Sequence, residues 1–137
     1  MPLTDEALEA VLAADDWPFE RAGESTWFSA FQRSSGPGEP ITFFLRLTDD
    51  WLFLTVAPFA VLPDDPATET AVLRRLLELN RSINLAKFAL ERRDIVLTVE
   101  LPTEELTSSQ IKDGLDALSY FALRHHAEIT AVAGSPA

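Results

Sequence analysis

The amino-acid sequence predicts an α+β fold with the element order α-β-β-β-α-β-β-α, in which helices pack on a mostly antiparallel sheet. Three observations lead to this prediction. Two pairs of β-rich runs are each joined by a short polar turn, as in antiparallel hairpins. Three other segments carry apolar residues at helical spacing behind capping residues. The chain has 137 residues, of which 47% are hydrophobic and 24% charged, and this is the size and composition of one globular domain.

The first helix and the first strand precede a polar loop. Thr4 is a suitable N-cap, and acidic residues follow it in the first turn, where the helix dipole favours negative charge. We expect this helix to end near Asp15. The next segment predicts a strand from Trp27 to Gln32, with room for a short strand before the turn at Gly23. Residues 34–40 are rich in Ser, Gly and Pro and predict a loop.

A clear hairpin signal follows, in which Ile41 to Leu47 and Trp51 to Val56 flank a polar three-residue turn. Side-chain alternation places Phe44 on the other face of its strand from most of the apolar residues. Both strands therefore carry apolar residues on both faces. This pattern indicates either a strand pair covered on both sides at the centre of a sheet, or a face that a partner covers. The apolar segment 56–63, which contains Phe59, is interpreted as a loop.

The second half of the chain predicts a helix and then another hairpin. Asp65 followed by Pro66 is typical of a helix start, and the helix has a stripe of apolar residues that we expect to be buried. This stripe consists of Val72, Leu73, Leu76, Leu77, Leu79 and Ile83. The hairpin turns at Arg92-Arg93, and its nearly strict alternation of apolar and polar residues predicts one wetter face.

The last helix begins at a capping box, with Thr107 as the cap and Gln110 three residues later. Its inner stripe is expected to comprise Ile111, Leu115, Leu118 and Ala122. Gly114 in the same helix allows close approach to a neighbouring element. We expect a single domain over residues 1–130 and a short flexible tail over residues 131–137.

The charge pattern limits the partners of this acidic chain. Lys and Arg number 11 and Asp and Glu number 22, and the formal net charge of −11 disfavours contact with nucleic-acid phosphates. Residues 71–93 differ, because they contain six basic and only two acidic residues. This basic region is interpreted either as a solvated helix face with a hairpin tip, or as a docking surface for an acidic segment, including one from a second copy of the chain.

The sequence predicts no membrane span and no signal peptide. Its longest apolar runs fall short of the ~18–20 residues of a span, and its N-terminus is acidic. We therefore expect a cytoplasmic protein that has no membrane partner.

Residues that could carry chemistry are few. The chain has no cysteine, which excludes disulfides, thiolate nucleophiles and cysteine-ligated metals. It also lacks a phosphate-binding glycine loop and a serine nucleophile motif. His125 and His126 diverge on a predicted helix, so we interpret them as charges that stabilise the helix C-terminus. The carboxylate pairs Asp15-Asp16, Asp49-Asp50 and Asp64-Asp65 are interpreted as turn and cap residues. We predict no enzyme activity, no metal site and no cofactor.

Aromatic residues of the first half are the best candidates for a binding surface. Phe44, Trp51 and Phe53 lie on the first hairpin, and Phe59 lies in the segment after it. An apolar strand and loop surface of this kind is unusual in a monomer, and aromatic side chains are enriched at interfaces. We therefore assign these residues to partner binding as a hypothesis.

Two asparagines, Asn80 and Asn84, are four residues apart near the end of the second helix. They either cap the helix end and bond neighbouring backbone, or make polar contacts at a buried interface. Both are included among the candidate partner-binding residues.

The element order is similar to that of the type III secretion chaperone-like fold. Within it, residues 79–102, LNRSINLAKFALERRDIVLTVELP, resemble the YbjN-like proteins, which are also described as bacterial sensory transduction regulators. The likeness rests on Asn80 and Asn84, on Ala86-Lys87-Phe88 at the start of the second hairpin, and on Leu101-Pro102 before the last helix. The resemblance implies a small, acidic, often dimeric binding protein without catalytic residues.

We predict a bacterial protein-binding or regulatory module that acts through its apolar sheet and loop surface, as a homodimer or with another protein. One alternative is a dedicated chaperone for a secreted effector protein. Another is a metal-dependent or other small enzyme that uses the two histidines. A third is a ligand-sensing regulator, which would need a pocket that the sequence does not reveal.

Overall fold

The computed structural model describes residues 3–31 and 40–133, which form three helices and six strands. The elements in chain order are α1 (Asp5–Ala14), β1 (Glu20–Gly23), β2 (Thr26–Phe31), β3 (Ile41–Leu47), β4 (Trp51–Val61), α2 (Pro66–Ser82), β5 (Ala86–Glu91), β6 (Asp94–Pro102) and α3 (Ser108–Val132). The predicted α+β class is confirmed, and β1 occupies the room left for a short strand before the Gly23 turn. The predicted loop at 34–40 lies almost wholly outside the described residues.

All strands belong to one antiparallel sheet in the order β1-β2-β3-β4-β6-β5. The two predicted hairpins, β3–β4 and β5–β6, are joined by the pairing of β4 with β6. That pairing runs from Trp51 opposite Pro102 to Val61 opposite Asp94. It joins two strands that α2 and β5 separate in the chain. The edge strands of the sheet are β1 and β5.

Each helix begins at its predicted cap. The Thr4 hydroxyl and the Asp65 carboxylate each accept a backbone N–H three residues later. Thr107 and Gln110 form both hydrogen bonds of a capping box. These bonds satisfy backbone donors that have no partner inside the helix, so local sequence sets where each helix starts.

The core lies between one face of the sheet and the helices. Its largest fully buried side chains include Trp27 of β2 and Phe59 of β4. Helix α3 closely approaches the sheet at Gly114, where an added Cβ would lie 3.0 Å from Leu101 Cδ1 and 3.2 Å from Leu54 Cδ1. The missing side chain of this glycine therefore lets α3 pack directly on β4 and β6.

Two predictions about the middle of the chain are wrong. Strand β4 continues to Val61, so most of the segment interpreted as a loop is strand, with a register irregularity between Val56 and Ala60 and a cis Ala57–Pro58 peptide. Leu77, which was expected in the buried stripe of α2, is 71% exposed. The helix buries only a narrow stripe, because it packs at the β5 edge of the sheet and not over its centre.

The second hairpin and the C-terminus also differ from expectation. Val96 and Thr98, on the side expected to be wetter, are buried, because β6 is an interior strand flanked by β4 and β5. Helix α3 extends to Val132, so the first residues of the expected tail at 131–137 are helical.

Replacing Gly114 with valine is expected to lower the free energy of unfolding by about 1–3 kcal/mol, because the branched side chain would be forced against Leu54, Val99 and Leu101. Gly23→Val is the control, since an added Cβ at Gly23 meets nothing within 4 Å. Denaturant unfolding of both variants measures the difference. A Gly114→Val protein as stable as the wild type would contradict the close packing of α3.

Candidate functional site

The sheet has one face packed against helices and one face turned away from them. In the described part of the chain, the buried side chains of α1, α2 and α3 join the core on the same face. Strand residues that alternate with this core point to the other side, which we call the open face. The open face comprises Thr26, Phe28, Ala30, Thr42, Phe44, Arg46, Trp51, Phe53, Thr55, Lys87, Ala89, Val96, Thr98 and Glu100.

Four aromatic side chains cross the open face. Phe28 lies directly opposite Phe44, and Phe44 lies directly opposite Thr55. Phe53 lies diagonally across from Phe44, within reach of a large side chain, and Trp51 lies two residues before Phe53 on the same face of β4. Phe28 is 53% exposed and Trp51 44%, whereas Phe44 and Phe53 are half-buried. We call Phe28, Phe44, Phe53 and Trp51 the aromatic strip.

Polar groups border the aromatic strip. The hydroxyls of Thr55 and Thr98 are 2.8 Å apart and satisfy each other in a buried position. Lys87 and Glu100 form an ion pair on the same face. Arg46 lies directly opposite Phe53. An apolar strip bordered by paired polar groups has the general composition of a protein–protein interface.

The predicted partner-binding aromatics separate into two groups. Phe44, Trp51 and Phe53 come together on the open face, but Phe59 is completely buried on the helix side. Its ring packs edge-on against Phe88 and His126, with centroids 5.3 Å away in each case. The irregularity of β4 between Val56 and Ala60 turns this side chain into the core, so Phe59 supports the fold and lies on no surface.

The Asn80 side chain forms hydrogen bonds with the backbone of β5, in agreement with one of the two interpretations of this residue. Its side-chain oxygen accepts the N–H of Phe88 at 2.7 Å, and its side-chain nitrogen donates to the carbonyl of Phe88 at 3.0 Å. Asn84 is exposed beyond the end of α2, and its backbone carbonyl accepts the N–H of Ala86 at 2.6 Å. Together these bonds occupy backbone groups of β5 that a further strand would otherwise pair with.

The two histidines are core-packing residues and not helix-end charges. Helix α3 continues past them to Val132, so the dipole interpretation of His125 and His126 is wrong. His125 is buried and faces Phe88 edge-on, whereas His126 lies against Phe59. Helix α3 packs on β4, β6 and β5, and its length brings the His126 ring to Phe59 of β4 and the His125 ring to Phe88 of β5.

The pKa of His125 is lowered below its ordinary value, first because burial disfavours the charged imidazolium. The Glu128 carboxylate, 3.7 Å from Nδ1, favours the charged form and offsets part of that effect. Arg124 and Arg75 oppose the charged form. The Glu128 carboxylate also accepts a hydrogen bond from Arg75, which contributes most to its own lowered pKa.

Sequence reasoning missed Phe28, the most exposed member of the aromatic strip. The available signal was its position next to Trp27, because neighbouring strand residues point to opposite faces and only one of the two can enter the core. A depression of about 330 Å³ adjoins Phe28 and is lined also by Pro18, Phe19 and Ala30. The apolar surface therefore continues from β4 to the β1 edge.

The described side chains include no group of His, Asp and Glu residues placed to hold a metal ion. Within residues 3–31 and 40–133, no helix has both the length and the apolar character of a membrane span.

Comparison with known proteins identifies the family. A family model matches residues 39–135, more than half of the chain, and it represents the type III secretion system (YopN, CesT) and YbjN peptide-binding chaperones, TY-Chap1. The chain belongs to this family. The resemblance to YbjN-like proteins noted in residues 79–102 is confirmed, and family membership supports a protein-binding role. No curated protein matches the chain.

Several solved structures share the fold. A chain of the heterodimeric complex ExoU–SpcU, from the type III secretion system of Pseudomonas aeruginosa, is 17% identical with a TM-score of 0.61; the match covers 92% of this chain and 97% of that chain. A chain of the ExsC–ExsE complex is 15% identical with a TM-score of 0.54, covering 94% of this chain and 97% of that chain. These similarities confirm the predicted type III secretion chaperone-like fold.

Asn80→Ala is expected to lower the free energy of unfolding by about 1–3 kcal/mol, because the N–H and carbonyl of Phe88 lose their partner in a part-buried position. Hydrogen exchange at the Phe88 amide should accelerate more than at neighbouring amides of β5. Asn84→Ala, at an exposed position, is the matched control. Equal protection of Phe88 in all three proteins would contradict a role of Asn80 in closing the edge.

Lowering the pH from about 7.5 to about 5.5 is expected to reduce the free energy of unfolding, because the unfolded chain binds a proton at His125 more readily than the folded chain does. The stabilisation that comes from keeping His125 neutral is fully present above the ordinary pKa of histidine, and it is lost as the pH falls below that value toward the lowered pKa of the folded state. His125→Gln should reduce this dependence in denaturant unfolding at both pH values. The same pH dependence in the variant would contradict the lowered pKa.

Proposed function

We propose that the chain is a non-enzymatic binding module that holds a polypeptide segment against its open face. The observation that carries this proposal is the aromatic strip, whose members Phe28 and Trp51 are half exposed although each is large and apolar. The module is proposed to comprise one domain over residues 1–130 and to act in the cytoplasm. Its action is proposed to be regulatory or protective, through contact alone.

The strip is large enough to contribute measurable affinity. Burying a few hundred Å² of apolar surface at ~25 cal/mol per Å² supplies several kcal/mol before the costs of association and ordering. Phe44 and Phe53 are already half-buried by their neighbours, so little rotamer freedom is lost when a partner covers them. Trp51 and Phe28 would supply most of the newly buried area.

Two observations support a polypeptide as the ligand. The chain belongs to a family described as peptide-binding chaperones. The open face is a broad strand surface, whereas the depression nearest to the strip is shallow and about 330 Å³ in volume. A second copy of the chain is one such polypeptide, and we propose that the open face also forms a homodimer when no other partner is present.

A second candidate function is that of a dedicated chaperone for a secreted effector. It is favoured by the two structural neighbours, which come from the ExoU–SpcU complex of a type III secretion system and from the ExsC–ExsE complex. In this case the bound partner would be an exported protein, and the complex would contain the partner in place of the second copy.

Trp51→Glu and Phe28→Glu are each expected to abolish assembly while changing the free energy of unfolding by less than about 1 kcal/mol, because both side chains are exposed in the folded chain. Light scattering measures the molar mass, and affinity capture from native lysate with mass spectrometry identifies a partner. Tyr120→Glu is the matched control, since Tyr120 is an aromatic on α3 that is 56% exposed and lies away from the open face.

The outcomes separate the proposals. Loss of a partner or of dimer mass in both open-face variants, with retention in Tyr120→Glu, supports binding at the aromatic strip. A partner that carries an export signal favours the chaperone function. A folded Trp51→Glu protein with unchanged mass and unchanged partners would contradict binding at this face.

A further inference from the structure

Helix α2 carries an exposed apolar side chain, Leu77, which lies between two arginines and apart from the aromatic strip. Arg74, Leu77 and Arg81 follow one another at three- and four-residue steps, so they form one stripe on the outer side of the helix. Leu77 is the most exposed large hydrophobic residue in the described part of the chain, at 71%. Its place in the buried stripe was predicted from spacing alone, and the structure puts it in solvent.

The edge strand β5 extends this stripe. The paired hydrogen bonds between Asn80 and Phe88 hold α2 against β5. Leu77 lies three residues before Asn80 on α2, and Leu90 lies two residues after Phe88 on β5. Leu90 is 47% exposed and is on the same side of its strand as Phe88, which is the side that faces the helices. Arg92 follows at the hairpin turn. We call Arg74, Leu77, Arg81, Leu90 and Arg92 the basic seam.

The arginines of the basic seam differ from the other bases around them. Three neighbouring bases are paired, in the ion pairs Arg75–Glu128, Lys87–Glu100 and Arg93–Glu69. Across residues 3–31 and 40–133, no ion pair involves Arg74, Arg81 or Arg92. These three cations and two exposed leucines form a locally basic and apolar surface on a chain whose net charge is −11.

We propose that the basic seam docks an acidic segment of a partner protein, with an apolar side chain of that segment against Leu77 and Leu90 and carboxylates beside Arg74, Arg81 and Arg92. Charge complementarity selects this occupant, because an acidic segment gains attraction here and is repelled by most of the remaining surface. The inference rests on the proposed function only in taking the partner to be a polypeptide. It concerns a surface separate from the open face.

The contacts of β5 and the charges of α2 disfavour two other modes of binding. Strand addition is obstructed over the first half of β5, because Asn80 already holds the N–H and carbonyl of Phe88 and the backbone carbonyl of Asn84 holds the N–H of Ala86. A symmetric pairing of two copies about Leu77 would bring Arg74 of one copy near Arg81 of the other, and these like charges repel. Recognition therefore uses side chains of a different, acidic chain.

The test uses the full-length protein and a short fluorescein-labelled peptide that has leucine at every fourth position and glutamate on either side of it. Fluorescence anisotropy measures its Kd at low and at physiological salt. The Arg74→Glu/Arg81→Glu variant is expected to bind at least about tenfold more weakly, since two attractions become repulsions. Leu77→Ser should weaken binding severalfold without loss of stability. A peptide with lysine in place of glutamate should bind the charge-reversed variant better than the wild type.

Two controls locate the effect. Lys112→Glu/Arg124→Glu changes the net charge by the same amount on α3, and it should leave the Kd within about twofold if the effect is local. Weaker peptide binding by Trp51→Glu would place the peptide on the open face and overturn this proposal, so that failure of the open-face proposal and failure of this one are distinguishable. Absence of peptide binding to the wild type overturns the proposal, as does equal weakening by both charge-reversed pairs. Self-association that is lost in Arg74→Glu/Arg81→Glu would assign the seam to a second copy and overturn the acidic partner.

Discussion

Strands β4 and β6 pair along most of their length, and every other strand and α3 are attached through them. The first hairpin extends the sheet from β4, the second hairpin extends it from β6, and α3 lies across both. The close approach at Gly114 sets how deeply this helix packs. Because α2 and β5 lie between β4 and β6 in the chain, the pairing must compensate the entropy of closing that long connection. The packing of α3 on the pair supplies apolar burial toward that cost.

A sheet that is covered on one face leaves its alternate side chains to meet solvent or a partner. In this chain four of the uncovered positions carry aromatic residues where a solvated face would carry polar ones, and Phe28 and Trp51 are the most exposed of them. The buried hydroxyls of Thr55 and Thr98, on the same face, share a hydrogen bond, so polar groups at the centre of the face are paired. The same feature of the fold thus makes a buried core on one side and leaves on the other the aromatic surface that we propose as a binding site.

The edge at β5 shows how the fold limits the ways in which a partner can bind. An unprotected edge strand would offer backbone groups to any extended chain, and the Asn80 side chain removes that opportunity at Phe88. What remains there is a side-chain surface of leucines and arginines. The two proposed surfaces therefore differ in chemistry, one aromatic and one basic, so a single partner could engage them with different segments.

Sequence by itself determined the features that depend on near neighbours in the chain. Local sequence identifies Thr4, Asp65 and Thr107 as caps because a cap bonds residues three positions away, and alternation separates Phe44 from the other apolar residues of its strand, as the structure does. Tertiary structure alone decided the burial of Phe59, the exposure of Leu77 and the environment of His125. Burial depends on which distant element covers a side chain, and the register irregularity of β4, the lateral position of α2 and the length of α3 are set by packing between segments far apart in sequence.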